Sequence, residues 1–386
     1  MSVHGHKILT GWSGVSVAKF FKPRSMARDI TDYLRETITR GGSDLHLSAW
    51  APACARINGS IVPFDKVVLT PETVRDLIFD TLSETQRATL EMELELDYAL
   101  QVEGIGRFRG NVHLARGHEE AAFRFITKEI PELEKLGHGA MADYFCRLRS
   151  GLILVTGITG SGKSTTLASM VRRISDTRSG VIITLEDPIE YTFQHSCSLV
   201  KQREIGHDSR SFPKALRQAL RQDPDVIVVS ELRDLDTIRI ALTAAETGHL
   251  VLATLHTSDA PQTIDRIVDV FPMDQQPQIV TQLAASLEGI ICQRLIPRAD
   301  GQGRALATEV LRPSHAIRNC IREKRMEQII GLMEIGHKDG NQTIDDSIGK
   351  LLKNKVISRQ EALFHCRDRK QFDQDIDDSK KRKSLW

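Results

Sequence analysis

Gly157-Ile158-Thr159-Gly160-Ser161-Gly162-Lys163-Ser164 fits the pattern Gly-x4-Gly-Lys-Ser/Thr at every defined position. Its three glycines let the backbone curl until successive N–H groups face inward, which makes a nest for phosphate oxygens. Lys163 can then reach the β- and γ-phosphates, Ser164 can present its hydroxyl to Mg2+, and Thr165 continues the binding stretch. Upstream, Leu152-Ile153-Leu154-Val155 is a short apolar run, as a buried parallel strand should be. Downstream, Leu167, Met170, Val171 and Ile174 recur at helical spacing, so a helix N-terminus faces the phosphates. With both flanks in place, a glycine-rich surface turn is the weaker reading. The stretch 157–165 reads as a nucleoside-triphosphate site.

Working outward, 386 residues are too many for one core and predict two or three domains. A hydrophobic content of 40% with 27% charged residues is that of an ordinary globular chain. The formal net charge of +1 gives no global field to draw in nucleic acid. No apolar run approaches the ~18 residues that cross a bilayer. The first residues lack a signal-peptide layout, although Lys19-Phe20-Phe21-Lys22 could make a short amphipathic contact. The cysteines, at 54, 146, 197, 292, 320 and 366, form no Cys-x-x-Cys pair and read as reduced thiols.

Residues 1–26 read as a flexible leader. From 27 to 127 helices mix with short alternating strands, an α+β pattern. Thr31 to Ile38 predicts an amphipathic helix and Asp44–Ser48 a half-buried strand. Thr70-Pro71-Glu72 predicts a capped helix start. Two further strands are expected over Arg107–Leu114 and Ala121–Ile126, joined by a turn over Ala115–Glu120. Residues 128–139, with Pro131 and two glycines, read as a linker. From 140 to 315 strand-like runs at Leu152–Val155, Val181–Leu185, Val226–Val229 and Leu250–Thr254 alternate with helical stretches. That rhythm predicts an α/β fold, a RecA-like P-loop domain with a parallel sheet. Residues 316–366 read as helical, and 367–386 as a disordered charged tail.

The run Val226–Val229 ends in Ser230-Glu231, which places the Glu231 carboxylate beside the phosphate loop, able to hold Mg2+ through water. Thr184-Leu185-Glu186-Asp187-Pro188-Ile189-Glu190 ends the second strand with three carboxylates. Either Glu186 or Glu190 qualifies by position to orient and deprotonate water, and Pro188 should keep them from pointing the same way. His249 and His256 bracket the fourth strand, a span of roughly 23 Å. His256, at the carboxyl end, is the better phosphate sensor, and His249 suits packing or a subunit contact. Arg107, Arg109 and Arg124 form a basic row on the predicted first-domain strands.

In order, the phosphate loop, Glu-Asp-Pro-Ile-Glu, Ser-Glu-Leu-Arg-Asp and Thr-Gly-His…Thr-Leu-His-Thr resemble the type IV pilus and type II secretion ATPases, in particular the PilT-type retraction motors. The resemblance extends from about Ile30 to Phe364. Gly42–Ser48 is similar to the opening of that family's PAS-like domain. Ala316-Ile317-Arg318-Asn319-Cys320-Ile321-Arg322-Glu323 matches the retraction motif except at Cys320, where leucine is usual. Such a resemblance implies a smaller α+β PAS-like domain ahead of the RecA-like one. It also implies a homohexamer on the cytoplasmic face of the bacterial inner membrane, driven by ATP with Mg2+. Its partners would be the pilus platform protein and a possible second retraction ATPase. In these motors the residue matching Glu190 is the catalytic glutamate and that matching Glu231 is metal-associated. Arg109 and Arg124 would complete a neighbour's site, and the helix carrying Ala316–Glu323 would serve retraction.

Three other readings remain. One is an accessory PilU-type paralogue, for which Gln293-Arg294-Leu295 leaves room. Another is a RecA-like nucleic-acid translocase, disfavoured by 5% aromatic content and balanced charge. The last is a noncatalytic ATP-gated scaffold.

Overall fold

Val226–Val229 runs parallel to Leu250–Leu255, which runs parallel to Gly151–Thr156, and this central block is apolar at nearly every position. The computed structural model describes residues 28–57, 59–126 and 129–373. The leader expected over 1–26 therefore lies outside the described residues, as do Lys128 of the linker and the last thirteen positions of the tail. Contacts divide the chain into two compact units. One runs to Glu95 and takes in Val112–Ala122; the other comprises Leu96–Asn111 and the chain from Phe123 onward.

The smaller sheet is built from β1 (Gly42–Leu47), β2 (Cys54–Ile57), β3 (Ser60–Pro63), β4 (Glu95–Val102), β5 (Gly106–Ala115) and β6 (His118–Ile126), in the order β3-β2-β1-β6-β5-β4. Helices Ile30–Thr39 and Pro71–Phe79 form where the 3.6-residue period calls for them, and Leu34, Val74 and Ile78 are fully buried. Thr70 caps the second helix, its side chain accepting from the Thr73 N–H with Pro71 in the first turn. The turn expected over Ala115–Glu120 is much shorter, because β6 already begins at His118. Arg116 and Gly117 alone make it, at φ 55° and 81°, the positive pair that a tight hairpin needs. Strands β2, β3 and β4 were not anticipated.

In the larger unit, β7 (Gly151–Thr156), β8 (Gly180–Glu186), β9 (Ser198–Glu204), β10 (Val226–Val229), β11 (Leu250–Leu255), β12 (Leu287–Pro297) and β13 (Arg304–Leu311) form one sheet. Its order is β13-β12-β7-β11-β10-β8-β9, parallel throughout except for β13, which pairs antiparallel with β12. This is the α/β fold with a parallel sheet that the sequence predicts. All four anticipated strands are present; β9, β12 and β13 extend the sheet at both edges.

Both faces of the sheet are covered, which is why its strands read as continuous apolar runs. Leu152, Leu154, Ile227, Val229, Val251 and Ala253 share one buried cluster with helical residues such as Leu216 and Leu242. Ile153, Val155, Val226, Val228, Leu250 and Leu252 share the other with Met170, Ile174 and Phe145. The helix Lys163–Thr177 buries Leu167, Met170, Val171 and Ile174, the four residues whose spacing announces it. Beyond β13 the chain is helical, as expected. The segment expected to begin the disordered tail instead starts with a helix, Arg369–Asp373, whose Phe372 is buried with Ile344, Ile348 and Ile357.

Packing at β12 leaves no room at Gly289, where an added Cβ would lie 2.3 Å from Cζ of the fully buried Phe145. Gly289→Ala should lower stability by about 1–3 kcal/mol, as overpacked cores do. Adding Phe145→Leu should return part of that loss in denaturant unfolding; additive losses would refute the clash.

Candidate functional site

Register brings the carboxyl ends of four strands to one edge of the sheet. Leu255 of β11 pairs with Thr156 of β7, and Val229 of β10 pairs with Ala253 and with Leu185 of β8. The residues that leave these strands are Gly157, Ser230-Glu231, His256 and Asp187. A cavity of about 600 Å3 opens on this edge. Its lining includes Thr159, Gly160, Gly162, Lys163, Ser164, Thr165, Glu190, Glu231 and His256.

Gly157 makes the turn out of β7. Its φ is 144°, and a Cβ there would lie 2.5 Å from both the Gln293 carbonyl oxygen and Ser161 Oγ. No larger residue fits. Gly162, at φ 91°, ends the loop, and the helix from Lys163 starts without a side-chain cap. Its first N–H groups are left for a ligand. Ser161 is buried, and its hydroxyl has no hydrogen-bonded partner among the described residues.

Lys163 is only 8% exposed. Its Nζ donates to the carbonyls of Gly157 at 2.8 Å and Ile158 at 3.1 Å, and lies 3.4 Å from His256 Nδ1. Burial lowers its pKa, against the pull of Glu231 and Glu190, which raise it. His256 Nε2 sits 3.3 Å from Glu231 Oε1, and Arg233 reaches Glu231 Oε2 at 2.8 Å. Burial pushes the Glu231 carboxyl upward, but Arg233 and His256 together hold it below the usual range. Glu231 is thus an ionised oxygen donor in the cavity that Ser164 also lines.

The two acidic-box candidates separate here. Glu186 Oε1 accepts from Thr184 Oγ1 at 2.6 Å and from Gln202 Nε2 at 2.9 Å. Burial raises its pKa despite these bonds. Glu190 also lines the cavity, and its carboxylate has no hydrogen-bonded partner among the described residues. His249 is elsewhere, its Nδ1 3.1 Å from the Ala244 carbonyl at a helix end.

Arg109 and Arg124 line the cavity of their own chain. Two more arginines were missed. Arg233 and Arg304 line the same cavity, and Arg304 donates to the Gly160 carbonyl at 3.3 Å. Arg233 could have been found in the strand-end motif; Arg304 sits 144 positions from the loop it touches, with no local signal.

Behind the loop a buried polar trio was also unforeseen. Thr166 Oγ1 lies 2.8 Å from His138 Nε2 and accepts from Gln293 Nε2 at 2.6 Å. All three residues are buried. Arg318, in the motif over Ala316–Glu323, donates to the carbonyls of Ala284 and Leu287 and pairs with Glu288 at 2.8 Å. It thereby closes the end of the helix Gln276–Ser286.

Comparison with known proteins matches residues 118–365 to the family model for type II/IV secretion system proteins. The chain is 43% identical to PilT, a type IV pilus retraction ATPase of Pseudomonas aeruginosa, over 86% of this chain and 97% of that one. It is 38% identical to PilU, a type IV pilus ATPase of the same organism, over 86% of this chain and 87% of that one. A crystal structure of the pilus retraction motor PilT with bound ADP superposes with a TM-score of 0.84 at 48% identity, covering 89% of this chain and 99% of the other. Among the described residues no helix is long and apolar enough to cross a membrane.

Burial lowers the His138 pKa from 6.5 to about 4, so the folded protein holds it neutral while the unfolded chain protonates it first. The resulting stability is complete above pH 6.5 and is lost as pH falls toward about 4. It amounts to about 3 kcal/mol at most. His138→Gln, which can keep a bond to Thr166, should show a shallower loss of stability across that window. An unchanged slope would show that His138 is not the titrating group.

Proposed function

We propose that this chain, which belongs to the type II/IV secretion system protein family and is an ATPase, works as a hexameric motor that couples MgATP hydrolysis to retraction of a type IV pilus. The ring would sit at the inner face of the bacterial inner membrane and act on the pilus platform protein. One observation carries the chemistry. A single cavity gathers the phosphate loop, Glu231, His256, four arginines and Glu190, whose carboxylate has no hydrogen-bonded partner among the described residues, in a chain similar to PilT over 86% of its length.

Glu190 is the group that orients and deprotonates the attacking water, because Glu186 is already bonded to Thr184 and Gln202 and burial favours its neutral form. Lys163 gives up its carbonyl contacts to neutralise charge on the γ-phosphate. Arg109 and Arg124, which line the same cavity, add positive charge. Ser164 and Glu231 are the two oxygen donors that would hold Mg2+, which would supply positive charge to the phosphates. His256, between Lys163 and Glu231, registers whether a γ-phosphate is present. Nucleic acid has no part in this cycle.

A specific observation keeps an accessory role in view. Similarity to PilU covers as much of the chain as similarity to PilT, at somewhat lower identity. In that reading a second retraction ATPase shares the work, and the hydrolytic site is the same.

Glu190→Gln should bind ATP normally and lose roughly 10²–10⁴ in turnover. Glu186→Gln should stay within a few-fold of wild type. If Glu186→Gln is dead and Glu190→Gln is active, the carboxylates are reversed. Mixed assemblies test where the arginines act. Lys163→Ala and Arg109→Ala subunits combined in one ring should remain inactive, since each site lacks an essential group of its own. Recovered hydrolysis in the mixture would show that Arg109 is supplied across the subunit boundary.

A further inference from the structure

Glu190 lies in the loop between β8 and β9, a stretch without regular hydrogen-bonded structure of its own. A base must be held to a fraction of an ångström, and an irregular loop does not do that unaided. The flanking backbone is instead tied to side chains of β9. Gln202 Nε2 donates to the Tyr191 carbonyl at 2.7 Å, and Gln202 Oε1 accepts from the Phe193 N–H at 2.9 Å. On the other side, Glu204 Oε2 accepts from the Ile189 N–H at 3.1 Å. Positions 189 and 191 are thus both fixed, with Glu190 between them.

Gln202 and Glu204 lie two apart on one strand and so share a face of it. The same Glu204 Oε2 also accepts from Arg107 at 3.0 Å, and both side chains are largely shielded from solvent. Arg107 comes from β5, and two residues along that strand, on the same face, is Arg109, which lines the nucleotide cavity. One strand therefore carries a guanidinium for the nucleotide and a guanidinium for the tether of the base.

We infer that Glu204, clamped by Arg107, is a positioning residue that sets Glu190 for attack, and that β5 links the arginine at the nucleotide to the carboxylate that activates water. The inference rests on Glu190 being the base. Glu204 is not among the residues that line the nucleotide cavity. It fixes the peptide that precedes Glu190, and Arg107 fixes Glu204. An ion pair that merely stabilised the fold would bind Arg107 without also holding the acidic box.

Glu204→Ala should cut kcat by about 10²-fold, the cost of a misplaced reacting group, while KM and the affinity for a nonhydrolysable ATP analogue stay within a few-fold of wild type. Glu204→Gln, which keeps an acceptor for the Ile189 N–H, should be affected much less. Arg107→Ala should resemble Glu204→Ala, Arg107→Lys should recover part of the loss, and Arg107→Ala added to Glu204→Ala should cost little more. Wild-type kcat in folded Glu204→Ala, with only its unfolding midpoint lowered, would overturn the inference by showing a stabilising pair alone. A parallel fall in nucleotide affinity would overturn it too. Glu190→Gln is run beside these variants. If it is active, the base assignment fails. If it is inactive while Glu204→Ala is not, only the positioning role fails.

Discussion

A buried ammonium group is the constraint on which this structure turns. Lys163 has little exposure, and an unpaired buried charge is too costly to keep. The fold answers by curling the phosphate loop so that two of its own carbonyls accept from Nζ, and by setting His256, Glu231 and Glu190 around it. That curl requires Gly157, because β12 crosses directly behind it and a Cβ would strike the Gln293 carbonyl. The neighbouring strands in turn must run parallel and in register, since only then do Glu231 and His256 emerge beside the loop. Sheet order, loop conformation and site electrostatics are three consequences of placing one positive charge where phosphate will bind.

The site is held together by elements far apart in the chain. β5 brings Arg107 and Arg109, β9 brings Gln202 and Glu204, β10 and β11 bring Glu231 and His256, and β13 brings Arg304. Such a site is sensitive to small displacements of any contributor, which is what a motor that converts hydrolysis into movement needs. The carboxylates divide the work by environment. Glu231 stays ionised between Arg233 and His256, Glu186 is drawn toward its neutral form, and the Glu190 carboxylate has no hydrogen-bonded partner among the described residues.

Legibility followed the physics of burial. The central strands were plain because burial on both faces demands continuous apolar runs, and the helix after the phosphate loop was plain because one face alone is buried. β9, with the sequence Ser198-Leu199-Val200-Lys201-Gln202-Arg203-Glu204, is an edge strand whose polar residues imitate a loop, so its tethering role could not be seen. β12 follows the helix Gln276–Ser286 with no turn residue between them, which hid the boundary. At the site, Lys163, Ser164 and Glu231 were legible because a local pattern encodes them. Glu190 was singled out from Glu186 by the family resemblance alone, since the Thr184 and Gln202 hydrogen bonds that engage Glu186 leave no mark in any spacing. Arg109 and Arg124 were found, but whose cavity they line is a property of the folded chain.

Retraction is the central claim, and the most direct measurement counts surface pili in cells that encode this chain. Cells lacking the gene are compared with cells whose only copy carries Lys163→Ala, which leaves the chain present but removes its phosphate contact. Excess pili with lost twitching in both strains is the predicted result, because assembly would continue while ATP-driven withdrawal stops. Bald cells in both would contradict it, and would make this ATPase a motor for building the pilus.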